Sequence, residues 1–242
     1  MTLTGKTILV VGGATGIGQA TATLCAQRGA SVIVADFNET VGKATANSIS
    51  GSFSKVDVTD QASVKAMCEQ IAQTHGKLDG LVQTAGILQG AYISIDDFDI
   101  ELFRHVIDVN TVGSFLCAKY ATPLLRKGQL PVIVLISSAA AYGVSSSYAY
   151  GTSKGGVSAL GITMGGKLAQ EGIRVNVVCP GGINTAMKLS VIEEDARRKG
   201  QDPQAAAEEA KSGLGDPMGV AKLLAFLLSE DADYVRGSIN TR

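Results

Sequence analysis

Tyr150 and Lys154 stand four residues apart in the run Tyr150-Gly151-Thr152-Ser153-Lys154. On a helix, side chains at i and i+4 share a face, so the lysine ammonium can lie beneath the tyrosine phenol. A free tyrosine has a pKa near ~10, and a neighbouring cation lowers that pKa. The pair can therefore exchange a proton with a substrate, although tyrosine and lysine at this spacing are more often plain surface residues.

A glycine-rich segment near the N-terminus favours the chemical interpretation. The apolar run 7–11 is typical of a buried strand, and the segment 12–18 then reads Gly-Gly-Ala-Thr-Gly-Ile-Gly before a helix-compatible stretch. Glycines at such a turn let the backbone approach a ligand, and the helix N-terminus offers free N–H groups to a pyrophosphate. The residues that we expect to contact a dinucleotide here are Gly12, Thr15, Gly16, Ile17 and Gly18.

An acidic residue follows at the distance that a dinucleotide site requires. A second apolar strand at 31–35 ends at Asp36, which lies 18 residues beyond Gly18. Its carboxylate can accept hydrogen bonds from both adenosine ribose hydroxyls, but it would repel a 2′-phosphate. Phe37 and Thr15 supply no cation for such a phosphate, so we expect NAD rather than NADP.

The Gly-x-x-x-Gly-x-Gly spacing, together with Tyr150 and Lys154, resembles the short-chain dehydrogenase/reductase family in its compact single-domain form. The resemblance runs nearly end to end, and the order of the matching segments is specific. These segments are Asp57-Val58, residues 81–86 (Leu-Val-Gln-Thr-Ala-Gly), Asp108-Val109-Asn110, Ile136-Ser137-Ser138 and residues 179–185 (Cys-Pro-Gly-Gly-Ile-Asn-Thr).

The resemblance implies hydride transfer between a nicotinamide and a secondary alcohol or ketone, with Tyr150 as general acid and base. Lys154 would lower the pKa of that tyrosine and bind the nicotinamide ribose, and Asn110 would anchor a water relay to the lysine. A serine would donate a second hydrogen bond to the substrate oxygen. The family motif selects Ser138, whereas the commoner distance to the tyrosine selects Ser137. We expect Ser138, because a residue lost from a surface loop costs less than a register slip in a strand.

Further cofactor contacts are implied by the same resemblance. Besides the tyrosine and the lysine, they are Asp57, Val58, Ala85, Gly86, Pro180, Gly181, Ile183 and Thr185. The chain departs from the family where Val11 replaces a threonine and where Gln83-Thr84 replaces Asn-Asn. We expect these changes to affect stability before chemistry.

Composition and charge agree with one enzyme domain. The chain has 242 residues and a formal net charge of −1, which gives no electrostatic reason to expect nucleic acid as a partner. The longest apolar runs are strand-length and no charged leader follows Met1, so we expect neither a membrane span nor secretion, but a cytoplasmic protein. The two histidines are expected to serve packing or the surface. The cysteines are too scattered for a metal site: Cys25, Cys68, Cys117 and Cys179.

Alternating strand and helix patterns predict a doubly wound parallel sheet with helices on both faces, forming one domain over residues 1–242. The predicted strands lie near 7–11, 31–35, 53–56, 80–84, 132–136 and 174–179. The predicted helices lie near 17–28, 38–49, 60–75, 98–127, 149–171 and 217–229. A last strand begins near 234–239, and the chain ends short of the family's usual continuation.

Residues 186–213 occupy the position of the family's substrate lid, and lids vary with specificity. Candidate wall residues of the substrate pocket are Gln89, Tyr92, Tyr142 and Ser145. Steroid, sugar or polyol, acyl thioester and small ketone substrates all stay open. The predicted helix 149–171 is rich in glycine and lies at a subunit interface in the family, which implies a homo-oligomer, a tetramer or a dimer. A catalytically silent NAD(H) sensor or scaffold, and an epimerase or dehydratase, are the alternatives.

Overall fold

Seven parallel strands form one sheet within residues 1–241, the part of the chain that the computed structural model describes. Arg242, the last residue of the predicted domain, lies outside this part. The strands are β1 (Thr7–Val11), β2 (Ser31–Asp36), β3 (Ser52–Lys55), β4 (Gly80–Gln83), β5 (Val132–Ile136), β6 (Arg174–Cys179) and β7 (Gly237–Asn240). Their spatial order is β3-β2-β1-β4-β5-β6-β7, which confirms the predicted doubly wound α/β sheet. The order reverses between β1 and β4, where such sheets bind their ligands.

Helices cover both faces of the sheet. They are α1 (Gly16–Gln27), α2 (Glu39–Ser48), α3 (Gln61–His75), α4 (Ile100–Ile107), α5 (Gly113–Leu125), α6 (Tyr148–Leu168), α7 (Ala186–Arg198), α8 (Pro203–Ala210) and α9 (Pro217–Leu227). Side chains alternate along each strand, so each strand feeds two cores. In β1, Leu9 and Val11 enter the core beneath α3, α5 and α6, while Ile8 and Val10 enter the core beneath α1 and α9.

The central strand β5 is buried along its whole length, as its unbroken apolar sequence predicts. It pairs with β4 on one side and β6 on the other. Each of its valine and leucine side chains contributes about 1.5–3 kcal/mol by leaving water. The position of the residues that follow Ile136 is therefore fixed by the most buried part of the fold.

The single helix predicted near 98–127 is present over 100–125, with a π-helical turn in its middle. The carboxylate of Asp99 accepts hydrogen bonds from the backbone of Glu101 and Leu102, so the helix begins at Ile100. A π-helical turn over Asp108–Val112 then separates α4 from α5. Such turns insert one extra residue and are frequent at functional sites.

The C-terminal third contains elements that the sequence pattern indicated only in outline. The segment 186–213 forms α7 and α8, whose first turns are capped by the side chains of Thr185 and Asp202. Strand β7 pairs in parallel with β6, which confirms a last strand in this part of the chain.

Candidate active site

A cavity of about 970 Å³ opens at the carboxyl edge of the sheet, where β1, β2, β4, β5 and β6 end. Its size is at the upper end of the range for ligand sites in proteins. All sixteen residues predicted to contact the cofactor line it, and so does Ser138. Asn110 is the one predicted site residue that lies behind the cavity wall.

Tyr150 lies in the first turn of α6, where the Ser147 hydroxyl accepts a hydrogen bond from the Tyr150 backbone at 3.2 Å. Lys154 lies one turn further along and is almost completely buried. Its Nζ donates to the carbonyl of Ile136 at 2.9 Å and lies 5.7 Å from the centroid of the Tyr150 ring. The predicted juxtaposition of ammonium and phenol is thus present, with the last carbonyl of β5 fixing the lysine.

The two proton-exchanging groups of this pair have shifted pKa values. Burial raises the pKa of Tyr150, and a hydrogen bond with Ser138 opposes that rise. Burial also lowers the pKa of Lys154 to about 8, with a smaller opposing effect of Cys179. Burial is thus the larger effect at Tyr150, and its pKa lies above the ordinary tyrosine value.

The structure separates the two candidate serines. Ser137 is buried, and its hydroxyl donates to the Lys154 carbonyl at 2.7 Å and bonds the Ser158 hydroxyl at 2.8 Å. Ser138 lines the cavity together with Tyr150, and its hydroxyl accepts a hydrogen bond from the Ala140 amide at 3.1 Å. Ser137 also lines the cavity, but its hydroxyl is engaged by α6, so Ser138 is the better placed of the two serines to reach a ligand beside the tyrosine.

Asn110 is fully buried in the π-helical turn and joins two parts of the site. Its side chain accepts from the Ile87 amide at 2.8 Å and donates to the Ile87 carbonyl at 2.9 Å. It also donates to the Ser153 hydroxyl at 2.9 Å. Since Ser153 precedes Lys154, Asn110 positions the lysine-bearing helix against the loop that follows β4.

The glycine turn has no room for larger side chains at two positions. A Cβ at Gly12 would lie 2.4 Å from the Ala85 nitrogen, and its φ of +79° also favours glycine. A Cβ at Gly18 would lie 2.1 Å from the Gly12 carbonyl oxygen. The Thr84 hydroxyl donates to the Val11 carbonyl at 2.7 Å, so it stabilises the turn that the missing threonine at position 11 would have held.

Gln83 also departs from the family pattern, but its side chain, unlike that of Thr84, forms no hydrogen bond within the described residues. Its side chain is buried in β4, and neither its amide nitrogen nor its amide oxygen has a hydrogen-bond partner within the described residues. An unpaired buried amide is costly, roughly 1–3 kcal/mol. Gln83 lies in the sheet and outside the cavity wall, so we expect it to bear on stability rather than on the site.

Two carboxylates line the end of the cavity beside β2 and β3. Asp36 accepts hydrogen bonds from the Ala14 amide at 3.0 Å and the Asn38 amide at 2.9 Å. Asp57 accepts from the amide and hydroxyl of Thr59. These bonds fix both carboxylates, and no lysine or arginine lines this end among residues 1–241.

The opposite end of the cavity was harder to predict. Of the four wall residues suggested by position, Tyr92 and Ser145 line the cavity, and Gln89 and Tyr142 do not. His105 lines it as well and is exposed, which agrees with the expected surface role. It lies four residues before Val109, and this helical spacing on one face was the available signal. Leu88 and Val144 are wall residues that were not predicted, whereas Met187 and Lys188 belong to the predicted lid segment 186–213.

Comparison with known proteins identifies the family. The family model described as enoyl-(acyl carrier protein) reductase matches residues 12–241. With the site described above, this match shows that the chain belongs to the short-chain dehydrogenase/reductase family and is an oxidoreductase of that family.

Individual relatives cover almost the whole chain. A 2,5-dichloro-2,5-cyclohexadiene-1,4-diol dehydrogenase of Sphingobium indicum is 34% identical over 98% of this chain and 94% of its own length. A cis-4-hydroxycyclohexanecarboxylate dehydrogenase of Sinomonas cyclohexanicum is 34% identical over 97% of this chain and 93% of its own. The crystal structure of levodione reductase superposes with a TM-score of 0.89 at 28% identity, covering 98% of this chain and 96% of that chain.

Residues 1–241 contain neither a candidate membrane span nor a candidate metal site. No helix in this part of the chain is both long enough and apolar enough to cross a membrane. No three of its histidine, cysteine, aspartate or glutamate side chains come together as metal ligands.

Proposed function

We propose that this protein interconverts a secondary alcohol and a ketone with NAD(H) as its cofactor. The observation that carries the proposal is the Tyr150 phenol, underlain by buried Lys154 and sharing with Ser138 the wall of a cavity that also contains the glycine turn. A proton donor, a second hydrogen-bond donor and a dinucleotide-sized site meet there.

The residues present fit a nicotinamide dinucleotide. The turn at Gly12 and Gly18 brings backbone close to the cavity, and the N-terminus of α1 faces it. Asp36 would hold the adenosine ribose, and Lys154 and Thr185 would lie near the nicotinamide end. When bound, the nicotinamide would supply or accept the hydride.

Proton transfer would fall to Tyr150. In ketone reduction the phenol donates its proton to the substrate oxygen, and in alcohol oxidation the phenolate accepts that proton. Ser138 donates a hydrogen bond to the same oxygen as negative charge develops there. Asn110 holds the lysine-bearing helix in position. Whenever Lys154 is protonated, its positive charge stabilises the phenolate of Tyr150.

The cofactor preference follows from charge. The Asp36 carboxylate has two backbone donors and no cationic neighbour in the cavity wall of the described residues, so it stays an acceptor for ribose hydroxyls. A 2′-phosphate placed beside it would meet like charge. We therefore propose NAD over NADP.

For the substrate we propose a six-membered carbocyclic alcohol or ketone. Two relatives act, by their names, on a cyclohexadiene diol and a hydroxycyclohexane carboxylate. Apolar side chains at the far end of the cavity, from Leu88, Val144 and Met187, suit the face of such a ring.

The test is NADH oxidation with cyclic ketones, keto-sugars, steroids and 3-oxoacyl thioesters, and NAD reduction with the matching alcohols. Tyr150→Phe should lower kcat by about 10²–10⁴-fold while leaving the Kd of NADH within threefold. Tyr148→Phe is the matched control, because Tyr148 is half-exposed and has Thr152 rather than a lysine four residues on.

The outcomes separate the candidate functions. Turnover of a ring ketone that is lost in Tyr150→Phe and kept in Tyr148→Phe supports the proposal. Turnover of only a thioester or a sugar would make that compound, rather than a carbocyclic ketone, the substrate class. Tight NADH binding without turnover on any class would instead favour the sensor or scaffold.

We also propose that the protein is a homo-oligomer, dimer or tetramer, of the cytoplasm. The outer face of α5 and α6 exposes Phe115 and Ile162, which are 47% and 61% accessible. Gly155 and Gly166 in α6 have open space where a Cβ would lie, so a second helix can approach closely. The free, buried cysteines suit a reducing compartment. Light scattering of the purified protein would give the number of subunits, and a monomeric mass would overturn the oligomer.

A further inference from the structure

Tyr92 has a backbone conformation that a tyrosine rarely adopts. Its φ is +63°, in the left-handed region that favours glycine. The residue lies in the loop between β4 and α4, and its side chain lines the cavity. An aromatic residue held in this conformation at a cavity wall indicates that the surrounding structure determines where the ring lies.

Two hydrogen bonds hold this loop against the segment that leads into α6. The Tyr92 amide donates to the Ser146 carbonyl at 2.7 Å, and the Ser147 hydroxyl donates to the Gln89 carbonyl at 2.7 Å. Ser147 is also the cap that accepts from the Tyr150 amide. The position of the Tyr92 ring is thus connected, through two short bonds, to the start of the tyrosine-bearing helix.

The Tyr92 ring contacts the lid segment, residues 186–213, through Arg198. The guanidinium carbon of Arg198 lies 4.8 Å from the centroid of the Tyr92 ring. Arg198 is in the last turn of α7, whereas Ala186 to Lys188 in its first turn line the same cavity. Helix α7 therefore lines the cavity with its first turn and contacts Tyr92 with its last.

The neighbouring arginine provides an internal contrast. Arg197 forms ion pairs with Glu193 and Glu194, both in its own helix. Arg198 pairs with Asp195 of the helix as well, but it also reaches across to Tyr92. Of these two adjacent cations, Arg198 is the one that joins the lid segment to the body of the domain through an aromatic ring.

We propose that Tyr92 and Arg198 form a latch that holds the lid segment closed over the substrate end of the cavity, with Tyr92 as a positioning residue. The Tyr92 ring both lines the cavity and receives the Arg198 guanidinium, from a backbone in the left-handed region. Opening the latch exposes the cavity to solvent and lets substrate enter or leave. The effect on turnover rests on the proposed oxidoreductase function, whereas the latch itself does not.

The test is amide hydrogen exchange of residues 186–213 in the full chain, with and without NADH. Tyr92→Ala and Arg198→Gln should each speed exchange in α7 by about two- to fivefold, the factor that an exposed cation–π contact is worth. Tyr92→Phe keeps the ring and should match the wild type. Arg197→Gln is the matched control and should also leave exchange across α7 near the Tyr92 contact unchanged.

A double variant and a glycine variant exclude a general loss of structure. Tyr92→Ala with Arg198→Gln should be no faster in exchange than either single variant, because both remove the same contact. Tyr92→Gly removes the ring but suits the left-handed backbone, so it should open the lid segment like Tyr92→Ala without lowering Tm. Additive effects in the double variant, or equal exchange in Arg198→Gln and Arg197→Gln, would overturn the latch.

Kinetics with an active ketone form a separate arm. Loss of the latch should raise the KM of the ketone about two- to fivefold, while kcat is retained. Tyr92→Phe should have the wild-type KM. Faster lid exchange with no turnover on any substrate would keep the latch and refute the proposed function. Turnover of a ketone, together with lid exchange that is unchanged in the latch variants, would refute the latch and keep the proposed function.

Discussion

The two ends of the cavity are built in different ways. The end beside β1 and β2 is made of backbone: a turn in which Gly12 and Gly18 admit no side chain, and a carboxylate fixed by two amides. The other end is made of side chains from loops and from α7, among them Tyr92, Val144 and Met187. The first end can tolerate little change, and the second can change its chemistry without disturbing the sheet.

This difference corresponds to a division of work. A dinucleotide is the same molecule in every enzyme that uses it, so a rigid backbone site serves it well. Substrates differ, and loops on a rigid scaffold vary most freely. Tyr150 and Lys154 lie at the boundary, on a helix tied to β5 through Ser137 and the Ile136 carbonyl.

The largest expected effect is at the backbone end. In Gly18→Ala the new methyl group would lie 2.1 Å from the Gly12 carbonyl oxygen and 2.6 Å from the Thr84 hydroxyl, so the turn must move. A cost of about 3 kcal/mol corresponds to a loss of NADH affinity of roughly 100-fold. Fluorescence titration of NADH measures it, with Gly155→Ala as control because that position is open. Binding within threefold of wild type would contradict a backbone-defined site.

A smaller effect is expected where a side chain contributes to the same end. Asp36→Asn removes the negative charge and keeps an oxygen acceptor for only one of the two amides, since Ala14 and Asn38 donate to different oxygens of the carboxylate. The ratio of kcat/KM for NADPH to that for NADH should rise about tenfold, equivalent to about 1.4 kcal/mol of relieved repulsion. Steady-state kinetics at low and high salt would show the change shrinking as salt screens the charge. An unchanged ratio would mean that Asp36 does not face the 2′ position.

The sequence predicted the backbone end well and the other end poorly, for physical reasons. The glycine spacing and the acid 18 residues later are local features, because each strand end and turn is specified by adjacent residues. Tyr92 meets Arg198 across more than a hundred residues, and no pattern within either segment indicates that contact. The π-helical turn that buries Asn110 also has no signature in a helical pattern.

Lys154, at the boundary between the two ends, should serve activity at a cost in the stability of the folded protein. Burial lowers the pKa of Lys154 from 10.5 to about 8, so between these values the unfolded chain binds more protons than the folded one. Stability of the wild type should therefore rise from pH 8 to pH 10.5, relative to a variant without this amine. Lys154→Met should be inactive yet more stable at pH 7 by up to about 3 kcal/mol, less the lost hydrogen bond to Ile136.

Urea unfolding of both proteins at several pH values measures this difference. The excess in the free energy of unfolding of Lys154→Met over the wild type should shrink steadily as pH rises from 8 to 10.5. Lys167→Met is a suitable control, because Lys167 lies near the exposed end of the same helix. A lysine variant that is less stable at every pH would show that the buried ammonium is compensated in the folded protein.

The smallest effect on the fold is expected at the substrate end. Val144 lines the cavity yet is fully exposed, so Val144→Ala should change the free energy of unfolding by less than about 0.5 kcal/mol. NADH affinity should also stay the same, because the side chain lies away from the glycine turn. The KM of an apolar ring ketone should rise about three- to tenfold, since each methylene lost from a contact with the ring costs roughly 0.8 kcal/mol. Comparing KM for the ring ketone with that for a small acyclic ketone, which cannot reach this wall, tests the assignment. Equal changes for both substrates would mean that Val144 acts on the loop as a whole and that the substrate end is less independent of the scaffold than its exposure indicates.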